Sequence, residues 1–137
     1  FHYEDNDNIQ ECLNYLKRLG AKKFIAINPG TDFHNLTPYL DQIDGILVMM
    51  VEPGFAGQKM VPSTMTKVAG LKKFLKETDK NDIEIEVDGN ITIENAEKLY
   101  KLGADIFVSG SSSLFAKSEL STSDIIKKKR NVIGWNE

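Results

Sequence analysis

The chain has 137 residues, a length that suits one domain and lies below the roughly 250 residues of an eight-unit (β/α) barrel. Its 41% hydrophobic and 27% charged residues exclude a disordered chain and predict a packed core. A net charge of −3, without an apolar run of ~18 residues, predicts neither a nucleic-acid nor a membrane partner. The single cysteine, Cys12, excludes an internal disulfide and favours a cytoplasmic location.

The first half of the chain alternates helical and extended patterns. Apolar residues recur at helical spacing over Asn8–Leu19, and Gly20 follows as a helix stop. The wholly apolar run Phe24–Ile27 predicts a buried strand. A short helix is expected over Asn35–Ile43, and the apolar run Gly45–Val51 predicts the next strand.

The second half continues the same alternation, with hydroxyl side chains at the expected helix starts. The predicted elements, in chain order, are a helix capped by Ser63 and running to Leu75, a strand Ile83–Val87, a helix Ile93–Leu102 capped by Thr92, a strand Ala104–Val108 and a last helix opening at Ser123. The cationic run Lys127–Arg130 is expected to be the solvated end of that last helix.

Strands that are nearly continuous in apolar residues and alternate with helices predict a parallel sheet covered by helices, an α/β fold. Four full strands are expected, and Phe1–Tyr3 resembles the end of a fifth. Because the chain starts at a phenylalanine with no turn or cap before it, we interpret its start as truncated. The prediction is one partial domain over residues 1–137.

Three loops with glycine each follow a predicted strand: Glu52–Gln58, Asp88–Asn90 and Gly110–Ser112. In a barrel of parallel strands these loops share the C-terminal face, where active sites of such barrels lie. Residues Gly54 and Gly57 lack a Cβ atom, so the backbone can bring amide groups close to an anion. Either glycine motif alone fits a plain turn as well, but two such loops together favour a phosphate site.

Asp88 comes at the end of the predicted strand Ile83–Val87, at the mouth of the predicted barrel. The pair Asp88-Gly89 is also a common hairpin signal. A helix, Ile93–Leu102, follows instead of a partner strand, so Asp88 is a candidate metal ligand or acid/base group.

Three segments together resemble the ribulose-phosphate 3-epimerase family. Val48–Gln58 resembles the long signature of these enzymes, and Glu86–Gly89 and Val108–Ser111 resemble two later motifs in the expected order. The resemblance runs from Phe1 to about Phe115.

The resemblance implies a TIM-type (β/α)8 barrel, of which this chain holds the C-terminal four to five βα units. It implies interconversion of D-ribulose 5-phosphate and D-xylulose 5-phosphate with a divalent metal, whether zinc, iron, manganese or cobalt. Asp88 would be both a metal ligand and one of two proton-transfer aspartates. The implied substrate-binding residues are Met49, Gly54, Phe55, Ala56, Gly57, Gly89, Asn90, Gly110 and Ser111.

Some residues depart from the ribulose enzymes. Ala56 and Asn90 stand where glycine is usual, and Met50 stands where threonine or serine is usual. Phe55–Gly57 and Ser113–Phe115 are closer to the allulose-6-phosphate 3-epimerases. Two further alternatives are a non-catalytic phosphate-binding partial barrel and a metal-independent phosphate-binding barrel enzyme.

The resemblance also implies what this chain lacks. The family's histidine-x-aspartate strand and its other metal-binding histidine belong to earlier strands, so the chain alone is expected to be inactive. A partial barrel has open sheet edges and exposed apolar faces, which predict a homo-oligomer or self-association.

Overall fold

The computed structural model describes residues 1–135, in which helices and strands alternate as predicted. The strands are β1 (Phe24–Ile27), β2 (Gly45–Met49), β3 (Glu84–Asp88) and β4 (Ile106–Phe107). The helices are α1 (Ile9–Arg18), α2 (Ser63–Glu77), α3 (Ile93–Lys101) and α4 (Thr122–Val132), and a 3-10 helix spans Phe33–Tyr39.

The four strands form one parallel sheet in the order β1-β2-β3-β4, so every hydrogen-bonded neighbour is also the next strand along the chain. His2 forms an isolated parallel bridge to Ala26, beside β1. The predicted strand end at Phe1–Tyr3 is therefore a single bridge at the edge of the sheet. All connections between parallel strands need a crossover, which the helices and the 3-10 helix provide.

The two faces of the sheet differ in burial. Ile25, Ile46 and Ile85 are neighbours in the register and are fully buried under the helices. On the opposite face, Leu47 and Glu86 are neighbours and are only half-buried. Side chains alternate between the two faces of the sheet along each strand. One face therefore lies in the core under the helices, and the opposite face is less covered.

The starts of α2 and of the 3-10 helix differ from the sequence prediction. Ser63 is the first residue of α2 rather than its cap, and Pro62 occupies the cap position without a side-chain hydrogen bond. The predicted short helix Asn35–Ile43 is the 3-10 helix Phe33–Tyr39, which begins earlier because the Asp32 side chain accepts from the amide of His34. Thr92 does cap α3, since its side chain accepts from the amide of Asn95.

Helix α4 begins earlier than predicted, with Ser121 rather than Ser123 at its start. The Ser121 Oγ atom accepts from the amide of Asp124 at 3.2 Å and donates to its carboxylate at 2.7 Å. Replacing Ser121 by alanine should lower the free energy of unfolding by about 1 kcal/mol, because an N-terminal amide of the helix loses its acceptor.

The matched control is Ser123→Ala, which lies two residues further into the same helix. This variant should keep the wild-type stability in a urea titration, because alanine is a good helix former and the cap is intact. Equal losses for the two variants would contradict the position of the cap.

The run Lys127–Arg130 is not wholly solvated. Lys127 and Lys128 are exposed, but Lys129 is 7% exposed. The reason is helical periodicity: Lys129 lies four residues after Ile125, which is 5% exposed, and both side chains fall on the face that packs inward. The predicted solvated helix end is therefore wrong for this lysine.

The helical spacing of the apolar residues places Cys12 on the apolar side of α1 and predicts a buried thiol. Cys12 is half-buried, and its Sγ atom donates to the Oδ1 atom of Asn6 at 3.3 Å. Across residues 1–135, none of the helices combines the length and the apolar character that a membrane span requires.

Candidate active site

The register of the sheet brings the three glycine loops together. Met49 at the end of β2 is the neighbour of Asp88 at the end of β3, and the amide of Met50 donates to the Asp88 carbonyl at 2.7 Å. The amide of Val108 donates to the Val87 carbonyl at 3.0 Å, which extends the β3–β4 pairing to the third loop. The carboxyl ends of three adjacent parallel strands therefore open into one region, as expected for an α/β sheet.

This region is a cavity of about 490 Å³, a size suited to a small metabolite. Its lining contains Asp88 and every residue predicted to bind substrate, namely Met49, Gly54, Phe55, Ala56, Gly57, Gly89, Asn90, Gly110 and Ser111. The structure thus brings together all ten residues singled out in the sequence.

Several lining residues were not predicted individually. They are Val51, Glu52, Pro53, Gln58, Ile91, Val108 and Ser112. Gln58 has a definite task, because its Nε2 atom donates to the carbonyl oxygens of Glu52 at 2.6 Å and Phe55 at 2.9 Å. These two hydrogen bonds connect Gln58 to two other positions of the first loop. Gln58 could have been predicted, because it is the last residue of the Val48–Gln58 segment that resembles the family signature.

The loops offer backbone donors to the cavity. Within residues 1–135, the amides of Gly110, Ser111 and Ser112 donate to no protein acceptor. The carbonyl of Gly110 instead accepts from the amides of Ser113 at 3.1 Å and Phe115 at 3.2 Å, which folds the segment into a turn. Successive unpaired amides in a turn form a concave binding place for an anion.

The first loop has the same character. Among the described residues, the amides from Gly54 to Gln58 have no protein acceptor, and Gly54 and Gly57 have positive φ angles of 136° and 82°. Phe55 is 73% exposed at the mouth of the cavity. An apolar ring beside free amides suits a ligand with both carbon and oxygen atoms to contact.

The middle loop shows why one departure from the family pattern is tolerated. Asn90 has a left-handed backbone with φ 53°, a conformation that asparagine adopts more readily than most residues other than glycine. The Asn95 side chain donates to the Asn90 carbonyl at 2.9 Å and fixes the turn. An asparagine therefore fits where the family usually has glycine.

Asp88 is half-buried, and its neighbour on the same face of β3 is Glu86. Burial first, and then the charges of Asp88 and Glu84, raise the pKa of the Glu86 carboxyl group. Met49, which is 9% exposed, forms part of the cavity wall beside Asp88. The cavity thus has an apolar wall next to a carboxylate, an arrangement able to accept a proton from a bound carbon acid.

A complete metal centre is not formed by residues 1–135, because no three histidine, cysteine, aspartate or glutamate side chains come together there. The carboxylates of the cavity lining are Glu52 and Asp88. Two carboxylates are fewer than the ligands that a catalytic divalent metal normally takes from a protein. The described part of the chain therefore does not account for a metal site without further ligands.

Comparison with known proteins identifies the same family as the sequence motifs of the site. A family model described as the ribulose-phosphate 3 epimerase family matches residues 1–115. A ribulose-phosphate 3-epimerase of Buchnera aphidicola subsp. Baizongia pistaciae is 41% identical over 111 residues, which cover 81% of this chain and 48% of the relative. The match of the family model ends just before the segment that leads to α4.

Two further relatives extend the comparison. A ribulose-phosphate 3-epimerase of Buchnera aphidicola subsp. Schizaphis graminum is 36% identical over 130 residues, covering 95% of this chain and 55% of that protein. A chloroplastic ribulose-5-phosphate-3-epimerase of Arabidopsis thaliana is 39% identical over 110 residues, covering 80% and 39%. The chain spans about half the length of the bacterial relatives named here.

Proposed function

Since the chain belongs to the ribulose-phosphate 3-epimerase family, we propose that it forms the phosphate-binding part of an isomerase that interconverts D-ribulose 5-phosphate and D-xylulose 5-phosphate. The family has the TIM-barrel fold, and the four parallel strands with alternating helices are a partial unit of that fold. The observation that carries the proposal is one cavity lined by Asp88 and by three loops with unpaired amides.

Inversion at C3 of a ketose is a proton-transfer reaction. The proton on C3 is acidic because the C2 ketone is adjacent, and its removal leaves an enediolate that is reprotonated from the opposite face. We assign Asp88 to one of these transfers, in which its carboxylate takes or returns the C3 proton. The group on the opposite face is not among the described residues, so this part of the chain holds one half of the acid/base pair.

The phosphate group of the substrate needs several donors. In the proposal, the amides of Gly110, Ser111 and Gly89 contact its oxygens, while Phe55 and Met49 contact the carbon chain. Binding of the remote phosphate orients the reacting carbon next to Asp88, and correct orientation lowers the barrier of the chemical step. The loops thus contribute to catalysis without reacting.

The family uses a divalent metal. Asp88 is the residue of this chain that we propose as a ligand, and the remaining ligands lie outside residues 1–135. We therefore expect the 137-residue chain alone to lack epimerase activity. We also propose that the half-buried face of the sheet, with Leu47 and Glu86, is covered by self-association or by other strands of the barrel, and that the protein is cytoplasmic.

The proposal is tested on the polypeptide that the native gene encodes, purified with its metal. We expect this polypeptide to convert D-ribulose 5-phosphate to D-xylulose 5-phosphate. A coupled enzyme assay measures the conversion. D-allulose 6-phosphate is assayed in parallel. Faster turnover of that ketose would change the substrate that we propose, but not the type of reaction. Binding of both phosphates without turnover of either would overturn the catalytic proposal in favour of a binding role.

The 137-residue chain is assayed beside the native polypeptide. It should give no turnover at the same molar concentration, because it provides one proton-transfer group. Turnover by the chain itself would mean that Asp88 and Glu52 suffice for catalysis.

A further inference from the structure

Lys129 is a buried cation behind the third loop. Its ammonium group donates to the Ser109 Oγ atom at 2.7 Å and to the Ser113 Oγ atom at 3.1 Å. Ser109 precedes the loop Gly110–Ser112, and Ser113 follows it. One side chain from α4 therefore holds both ends of the segment whose unpaired amides line the cavity.

A buried ammonium group normally has a negative partner, because removing a charge from water is costly. No carboxylate among residues 1–135 lies within ion-pair distance of Lys129, and its two acceptors are neutral hydroxyl groups. Burial lowers the pKa of Lys129 to about 8, and no charged side chain of the described residues contributes to that change. The charge thus lacks compensation inside the described part of the chain.

The geometry identifies where compensation would come from. Lys129 is one hydroxyl group removed from the loop that offers amides to an anion, and neither Lys129 nor its two serine partners line the cavity. Val108 lines the cavity, whereas the side chain of the next residue, Ser109, accepts a hydrogen bond from Lys129. A dianionic phosphate on the amides would lie in the field of a poorly screened cation.

We infer that Lys129 is a positioning residue for phosphate: through Ser109 and Ser113 it holds the Gly110–Ser112 loop in its binding shape, and its charge attracts the dianion. The inference rests on the proposed function and adds to it a residue from α4, beyond the residues 1–115 that the family model matches. Lys129 acts on the phosphate end of the substrate and not on C3.

The test uses the native polypeptide and D-ribitol 5-phosphate, a probe that has no ketone and does not react. Lys129→Met removes the charge and keeps an unbranched chain, and Lys128→Met changes its exposed neighbour in the same helix. Lys129→Met should bind the probe about five- to tenfold more weakly, as expected for loss of one charged interaction, whereas Lys128→Met should bind like wild type. In the epimerase assay the KM should rise by the same factor with kcat nearly unchanged.

A second measurement needs no variant. At pH 8.5 part of the Lys129 population is neutral, and binding of a dianion raises its pKa, so the complex should take up about half a proton. Calorimetry in two buffers of different ionisation enthalpy measures this uptake, and titration with ribitol, which has no phosphate, should give none. A merely structural lysine would not change its protonation when the probe binds.

The outcomes separate this inference from the proposed function. Absence of proton uptake by the wild-type protein, or unchanged probe affinity in folded Lys129→Met, would overturn the role of Lys129 whether or not the protein is an epimerase. Proton uptake and weaker binding by the variant, in a protein without epimerase turnover, would keep the role of Lys129 and reject the proposed reaction.

Discussion

Replacing Asp88 by asparagine in the native polypeptide should lower kcat for D-ribulose 5-phosphate by about 10²–10⁴-fold, the range for loss of a general acid/base group. Asparagine has nearly the same shape as aspartate but cannot take up the C3 proton. The KM should change much less, because the proposed phosphate contacts are backbone amides, which the substitution leaves in place. A coupled assay under saturating substrate measures both constants.

Two controls make the Asp88→Asn result specific. Glu84→Gln changes a carboxylate on the same strand and the same face, but at the far end of β3, where it pairs with Lys22 at 2.6 Å. That exposed pair contributes little, so this variant should keep the wild-type kcat. Metal content is measured for both proteins, because loss of metal from Asp88→Asn would assign the defect to metal binding. A kcat within threefold of wild type would remove Asp88 from the mechanism.

Replacing Gly89 by alanine should lower the free energy of unfolding by about 2–4 kcal/mol, from strain and overpacking together. Gly89 has a φ angle of 111°, which side chains with a Cβ atom rarely adopt. An added Cβ atom would lie 2.6 Å from Val51 Cγ2 and 3.1 Å from the Val51 amide nitrogen. Because the contact includes backbone, rotation of the valine side chain alone does not relieve it.

The matched control is Gly30→Ala, since Gly30 has no positive φ angle and its added Cβ atom would meet nothing within 4 Å. This variant should be as stable as wild type or slightly more so, because alanine reduces the freedom of the unfolded chain. Urea titrations of the three proteins give the comparison. Equal midpoints for Gly89→Ala and Gly30→Ala would show that the turn can accept a side chain.

The sequence was sufficient to predict the order of the elements and the three loops that line the cavity. Both predictions depend on local signals: apolar runs such as Phe24–Ile27 and Gly45–Val51 mark buried strands, and glycines after strands mark the loops. The end of one parallel strand lies beside the ends of its neighbours, so knowing the strands was enough to expect the loops to meet.

The predictions that failed depend on contacts beyond the local sequence. Several hydroxyl residues precede α4, and only the hydrogen bond from the Asp124 amide distinguishes Ser121 from Ser123 as the cap. The Lys127–Arg130 run gave a correct interpretation for its exposed members. The interpretation was wrong for Lys129, because it considered the charge of the run and not the four-residue spacing between Ile125 and Lys129. Helical position, rather than residue type, decided which lysine is buried.

The substrate remains the least predictable part of the site. Ala56, Met50 and Asn90 depart from the ribulose enzymes, but only Asn90 has a clear structural explanation in its left-handed backbone. Met50 is fully buried, so its side chain fills the core and does not face the cavity. The assays of the two ketose phosphates compare the two substrates directly.

The four strands lie in the sheet in the same order as in the chain, and this order affects how the protein assembles during synthesis. As each strand leaves the ribosome, the strand it must pair with has already emerged, so no earlier segment has to wait for a distant partner. Each pairing closes a short loop containing one crossover, which keeps the entropic cost of every step small. The sheet can therefore grow one strand at a time along the chain, and the loop held by Lys129 acquires its support after β4 has paired, when α4 docks.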